Sequence, residues 1–299
     1  MMHDVVVIGN VGIDTNVYLP GQEIDFTVEA NFTENVDCIG QAGGYASRTY
    51  ANLGYATAFI GAIGEDAAGR WIRETFAREQ INLEGIFIDP AGTSRSINFM
   101  YPDGRRKNFY DGKSHMTLQP PLAECQRILQ GARLAHFNIP NWARQLLPLA
   151  RQKHVPVAVD LQDVIDLHDP YRQDFIEQAD FIFFSAANQA DPAAVVAALL
   201  QRRPQAVVIS GMGEKGAMLG TSAQGIQTFP PFSLAEPVID TNGAGDSLAA
   251  GFLSAYVLDG LPLTEAVLRG QVAARHCCTQ RGSSDHLIDR ELLGRYLNG

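Results

Sequence analysis

Phe181-Ile182-Phe183-Phe184, then Pro192 to Arg202, then Ala206-Val207-Val208-Ile209: the reading of this stretch decides the fold. A short apolar run precedes a helix-like segment, and a second short run rich in β-branched residues follows. The runs are continuously apolar rather than alternating, the pattern of strands buried on both faces in a parallel sheet. The same rhythm recurs outward. Apolar runs at Val5-Val6-Val7-Ile8, Ala58-Phe59-Ile60, Ala135-His136-Phe137 and Val155-Pro156-Val157-Ala158-Val159 are interspersed with helix-like stretches from Gly69 to Glu79 and from Trp142 to Lys153. The alternation predicts a doubly wound α/β core with a mostly parallel central sheet.

Two stretches break the rhythm. Residues 15–40 are polar and alternating, and residues 92–116 contain Ser96 to Tyr101, the turn Pro102-Asp103-Gly104, and Arg105 to Tyr110. An Asp-Gly turn between alternating runs signals a hairpin. Both stretches are expected to form a small sheet beside the core, acting as a lid. Without repeats or linkers, residues 1–299 read as one catalytic unit with this lid inserted.

The chain has 299 residues, 46% of them hydrophobic, enough for a large core. Lys plus Arg number 23 against 33 Asp plus Glu, a net charge of −10. Such a surface repels a phosphate polymer, so a nucleic-acid partner is not expected. The cysteines Cys38, Cys125, Cys277 and Cys278 have neither zinc-site spacing nor the look of a disulfide framework, which fits a reduced, cytoplasmic setting. No apolar run approaches the roughly 18 residues of a membrane span.

Chemistry concentrates at Val238-Ile239-Asp240-Thr241-Asn242-Gly243-Ala244-Gly245-Asp246-Ser247. Downstream, Leu248, Phe252 and Tyr256 recur at spacing four, as do Ala249, Leu253 and Val257, predicting a helix that opens at the glycines. First-turn N–H groups lack internal partners and carry positive potential, and Gly243 to Gly245 let an anion approach them. Asp246 follows in the same turn. It reads either as a base that takes a proton from an attacking hydroxyl or as an acidic residue favouring the helix start.

The string Asp240 to Asp246 resembles the D-T-x-G-A-G-D signature of the PfkB/ribokinase family of carbohydrate kinases. Further motifs follow in the family's order: Gly43-Gly44 with Ala51-Asn52-Leu53-Gly54, Ile60-Gly61-Ala62-Ile63-Gly64-Glu65-Asp66-Ala67-Ala68-Gly69, and Ile209-Ser210-Gly211-Met212-Gly213-Glu214-Lys215-Gly216-Ala217. The resemblance implies a ribokinase-like three-layer α/β/α core with a β-sheet lid, often shared across a homodimer. It implies ATP with Mg²⁺ as phosphoryl donor and a sugar-like acceptor. By position it implies Asp246 as catalytic base, with Ala244 and Gly245 as anion-hole amides beside Gly243. Asp14 would grip substrate hydroxyls, Gly43 and Gly44 would lie against the sugar, and Ser210, Gly211, Gly213 and Gly216 would line the nucleotide. Asp240 and Asn242, with residues near Gly282, correspond to a monovalent-cation (K⁺) site of some members.

Three positions depart from the pattern. Arg48 stands where the family usually has a substrate-contacting Asn; it either favours an acidic or phosphorylated substrate or faces away. The family's N-x-x-E, near Mg²⁺ and phosphates, becomes Ser185-Ala186-Ala187-Asn188 and loses its acid. Gln271 replaces an Asn near the adenine. Arg105 and Arg106, after the lid turn, reach an anionic substrate or form a solvated edge. Rival readings are a nucleoside kinase of the same fold and a catalytically silent sugar or nucleotide sensor. A dehydrogenase fingerprint at Gly211-x-Gly213-x-x-Gly216 requires a helix to open there, whereas Ala217-Met218-Leu219-Gly220 predicts a strand.

Overall fold

The computed structural model describes residues 2–164, 166–186 and 189–298. Its strands are β1 (Val5–Ile8), β2 (Gly12–Tyr18), β3 (Glu34–Gly40), β4 (Thr57–Ile63), β5 (Asn82–Ile88), β6 (Ser94–Met100), β7 (Arg106–Asp111), β8 (Leu134–Phe137), β9 (Val157–Asp163), β10 (Phe181–Ser185), β11 (Val207–Gly211), β12 (Ala217–Thr221) and β13 (Gly225–Phe229). Its α-helices are α1 (Ala42–Asn52), α2 (Ala67–Arg78), α3 (Leu122–Leu129), α4 (Leu147–Gln152), α5 (Gln173–Gln178), α6 (Pro192–Arg202), α7 (Ala244–Leu253), α8 (Leu263–Cys277) and α9 (Arg290–Asn298).

One sheet has the order β13-β12-β11-β10-β9-β8-β1-β4-β5. From β11 to β5 every pairing is parallel; β12 and β13 extend the edge antiparallel. The continuous apolar runs have a direct cause. In β1, Val6 and Ile8 join the cluster under α3 to α6, while Val5 and Val7 join the cluster under α1, α2, α7 and α8. All four are fully buried, each stabilising the fold by about 1.5–3 kcal/mol relative to exposure. This is the expected three-layer α/β/α core. Cys38, Cys125, Cys277 and Cys278 are free and buried within it or at its lid.

Residues 15–40 and 92–116 do supply a second sheet, in the order β3-β2-β6-β7. The β6–β7 hairpin turns at Gly104, whose φ of +84° suits glycine. Register aligns three rows across β2, β6 and β7: Asp14–Ser96–Tyr110, Asn16–Asn98–Asn108 and Tyr18–Met100–Arg106. Residues at i and i+2 share a face, so these polar rows line one side. Ile97 and Phe109 point to the other and are 46% and 52% exposed.

The segment after Gly211 forms strand β12, antiparallel to β11, which removes the dehydrogenase reading. The helix expected after the glycines forms as α7 and then continues through a wider π-type turn over Ser254–Leu258.

Candidate active site

The site lies where the parallel strands end, as expected for an open α/β sheet. Gly243 caps α7 with φ +74°, and a Cβ there would meet the Tyr45 ring at 2.1 Å. No side chain caps the helix. The first-turn amides of Gly245 and Asp246 therefore face outward, as an anion cradle requires. Gly245 is exposed, and a Cβ built on it would meet nothing within 4 Å. The space in front of the cradle is open.

Asp246 is half-buried, but its Oδ1 is enclosed and has no hydrogen-bond partner. Burial, then the Asp160 carboxylate, raises Asp246 well above the usual carboxylate range, and Asp14 adds to the effect. Asp160, in β9, is itself pushed up to about 6 by burial, against the Gln162 amide that bonds its Oδ1 at 2.8 Å. Asp14, in β2, is 5% exposed. Its Oδ2 accepts the Gln41 N–H at 3.2 Å, and its Oδ1 has no partner. Burial pushes Asp14 up to about 6, opposed by Gln41, Ser96 and Arg106. Cys38 donates to the Asp14 carbonyl at 3.7 Å, its thiol pushed up to about 12 by burial and by Asp14.

The Asp160 and Asp14 carboxylates both disfavour ionisation of Asp246, and the Arg106 guanidinium favours the ionised forms of Asp14 and Asp246. Such a set suits a cation-bound phosphate arriving at the cradle, since paired carboxylates without a counter-ion disfavour ionisation. The donor chemistry fits Mg²⁺ carried with ATP and held in part through water and phosphate oxygens. Asp160 and Asp246 are the residues that would face it.

The remaining positions divide. Gly211 sits 3.3 Å, by a built Cβ, from Leu248 of α7, so the Gly211–Gly216 loop borders the cradle. Gly216 has φ +90° and passes so close to Phe229 that a Cβ would lie 2.1 Å from its carbonyl oxygen. Ser210 is fully buried with its hydroxyl unpartnered, and Ser185 ends β10 beside Gly211. Asn188 lies outside the described residues. Gln271 donates to the Pro230 carbonyl at 2.9 Å and so pins the segment after β13. Gly43 and Gly44 lie in α1, where a Cβ on Gly43 would meet the Asn10 carbonyl at 2.6 Å; their nearest neighbours are Asn10, Val11 and Phe59. Their missing side chains let α1 approach these neighbours closely.

Arg48 is engaged by two carboxylates. It bonds Glu79 through Nε and Nη2, at 2.7 Å for the shortest contact, and Asp285 at 3.3 Å. These carboxylates already balance its charge within the fold. Arg105 pairs with Asp103 at the exposed turn, whereas Arg106 donates to Asn242 Oδ1.

Sequence reading missed Asn138, Asp160, Asn16 and Tyr18. Asn138 follows β8, is 3% exposed, and has no partner for either side-chain polar atom. A buried amide left so costs about 1–3 kcal/mol, which makes Asn138 a candidate for a ligand contact. Its only signal was a polar residue directly after a buried strand. Asn10, across the cleft, donates to the Tyr110 hydroxyl of the lid.

An uncapped, glycine-lined helix N-terminus beside carboxylates is an arrangement suited to phosphoryl transfer, and comparison with known proteins agrees. Residues 2–290 match the model of the pfkB family carbohydrate kinases. The chain belongs to this family and is an ATP-dependent carbohydrate kinase. It is similar to the Acarbose 7(IV)-phosphotransferase of Actinoplanes sp., at 28% identity over 98% of this chain and 97% of that one. It is also similar to a fructokinase of Klebsiella pneumoniae, at 26% identity over 88% and 92% of the two chains. Among solved structures, the microbiome-derived acarbose kinase Mak1 superposes with a TM-score of 0.90 at 30% identity, covering 100% of both chains. Arabidopsis thaliana ribokinase, complexed with ribose and ATP, gives 0.83 at 21% identity over 100% of both, a likeness of fold. Among the described residues no helix is long and apolar enough to cross a membrane.

Proposed function

We propose that this kinase phosphorylates an alcohol group of a neutral sugar or sugar-like compound, with Asp246 as general base. The observation that carries the reading is the unpartnered Asp246 Oδ1 beside an open, uncapped helix N-terminus, with the Asp14 carboxylate, its Oδ1 also unpartnered, among the charges that raise Asp246. Asp14 and Asn138 grip acceptor hydroxyls, and the Gly211–Gly216 loop receives the nucleotide. Asp246 takes the hydroxyl proton as the acceptor oxygen bonds the γ-phosphorus. The bond from that phosphorus to the bridging oxygen breaks, and ADP leaves with its electrons. The amides of Gly245 and Asp246 stabilise the charge on the moving phosphoryl group, whereas the Ala244 N–H, expected to share this role, donates to the Thr241 carbonyl at 3.4 Å. Magnesium, when bound with ATP, supplies neutralisation of the phosphate charge. The monovalent cation of some family members has no role in this reading.

A neutral acceptor follows from the pairing of Arg48 with Glu79 and Asp285 and from the asparagine and serine side chains that line the lid's inner face. The names of two relatives make acarbose the first compound to assay, with ribose, fructose, a sugar acid, a phosphosugar and a nucleoside beside it. The reading includes a homodimer through the lid's outer face, supported by exposed Ile97 and Phe109. It also includes a reducing cytoplasmic setting, supported by four free cysteines. ATP consumption across the panel tests the function. Turnover that depends on a neutral sugar is expected; sugar binding without any ATP turnover would make the chain a sensor and overturn the reading.

A further inference from the structure

The family resemblance points to a monovalent cation beside Asp240, Asn242 and the Gly282 segment, but the side chains present there do not fit one. Asp240 is fully buried. Its Oδ2 accepts the Tyr18 hydroxyl at 2.6 Å and the Asn16 amide at 3.2 Å, and its Oδ1 accepts the Asn242 N–H at 2.8 Å. The Tyr18 oxygen in turn accepts the Gly282 N–H at 3.0 Å. One hydroxyl therefore joins the two segments that an ion would have joined. The nearby carbonyl oxygens are engaged as well. That of Asn242 accepts Ser283 Oγ at 2.8 Å and Cys277 Sγ at 3.3 Å, and that of Cys278 accepts the Ile239 and Asp240 N–H groups at 2.8 and 3.3 Å. A cation needs lone pairs directed at it, and here donors are directed at those oxygens.

Charge at this point comes from the lid. Tyr18, Met100 and Arg106 form one register row, and all three meet the 240–242 segment. Arg106 donates to Asn242 Oδ1, and Asn242 Nδ2 reaches Met100 Sδ at 3.5 Å. The adjacent row continues the connection: Asn108 donates to Asn98 at 2.7 Å and Asn98 to Asn16 at 2.9 Å, while Asn16 donates to Asp240. The Arg106 charge also favours ionised Asp240.

We propose that the Tyr18 hydroxyl takes the place of the monovalent cation, and that Tyr18, Asn16 and Arg106 of the lid hold the Asp240–Asp246 loop so that catalysis needs no potassium. Tyr18 is a positioning residue, acting through Asp240 on the anion cradle. The inference rests on the kinase reading for its activity test but not for its binding test.

The experiment uses the full chain in buffer free of potassium and sodium, with ATP as its Tris salt. Potassium chloride is added up to about 0.2 M at constant ionic strength against tetramethylammonium chloride. Thermal unfolding is followed in both salts without substrate. We expect kcat to change by less than about 2-fold, below the range of about 5–150-fold typical of coupled effectors, and Tm to be the same in the two salts. Saturable potassium activation of about 5-fold or more, or a potassium-specific rise in Tm, would overturn the proposal. Tyr18→Phe retains the ring and removes the bond to Asp240. It should lower kcat about 10-fold while the KM for ATP stays within about 2-fold, since a hydrogen bond to a charged group is lost. An unchanged kcat would overturn the role given to Tyr18. If no sugar supports turnover in any salt, the kinase reading fails, while the Tm comparison still decides the cation question.

Discussion

The two sheets of this protein invert each other's logic. The nine-strand sheet buries apolar side chains on both faces: Val5 and Val7 on one, Val6 and Ile8 on the other. The four-strand sheet points Asp14, Asn16, Ser96, Asn98 and Tyr18 inward and exposes Ile97 and Phe109 outward. The core sheet is held by area removed from water, which is non-directional. The lid is held to the Asp240–Asn242 segment by directional hydrogen bonds, which specify position, while Asp14 Oδ1 keeps no partner. Stability and recognition are thus assigned to different sheets, and substitutions should separate them.

Four outcomes sharpen or break that separation. Asp246→Asn, at the edge of the core, should lower kcat by about 10²–10⁴-fold with the ATP dissociation constant nearly unchanged; steady-state kinetics beside calorimetric titration with ATP checks this, and near-normal turnover removes the base role. Arg48→Asn lies in the helical layer, away from recognition. It leaves Glu79 without its partner and should cost about 3–5 kcal/mol in denaturant unfolding, reduced somewhat because Glu79 is partly exposed, while the acceptor KM stays put. A large KM change instead would return Arg48 to the pocket.

Asp14→Asn, in the lid, should do the opposite. Catalytic efficiency should fall about 10–100-fold through loss of a charged hydrogen-bond acceptor. The ligand-free protein should meanwhile gain stability at neutral pH. Burial lifts Asp14 from 3.8 to about 6, so its contribution to folding is fully present below about 3.8 and is lost as pH rises through about 6. Removing the charge should recover up to about 3 kcal/mol above that window and nothing below it. Melting curves of both proteins on either side of pH 6 test this, and a variant less stable at neutral pH contradicts the assigned desolvation. Phe109→Ser should have the smallest effect on the fold, within about 0.5 kcal/mol as an exposed substitution, yet should shift a homodimer toward monomer by light scattering. An unchanged mass would remove the lid face from the interface.

The division between sheets also governed what the sequence revealed. The β10–α6–β11 stretch and its repeats made the core legible, because burial on both faces leaves a continuous apolar signature. Alternation and the Asp103-Gly104 turn located the lid. Gly243 to Asp246 were legible as a helix-terminal cradle, because backbone chemistry there depends little on distant partners. Arg48 was not, because Glu79 and Asp285, which neutralise it, are 31 and 237 residues away. Tyr18 reaches Asp240 across 222 residues, and local pattern carries no trace of such a pairing. Asp160, inside β9, carries no local mark of its effect on Asp246, 86 residues away in sequence.

Cys38 gives this architecture a built-in reporter. Its thiol is enclosed beneath the lid, bonded to the Asp14 carbonyl, and resists ionisation. Alkylation of this sulfur therefore requires both exposure of a side chain that is 0% exposed and loss of a proton that burial holds on, so slow labelling is the expected mark of an intact β2–β3 pair.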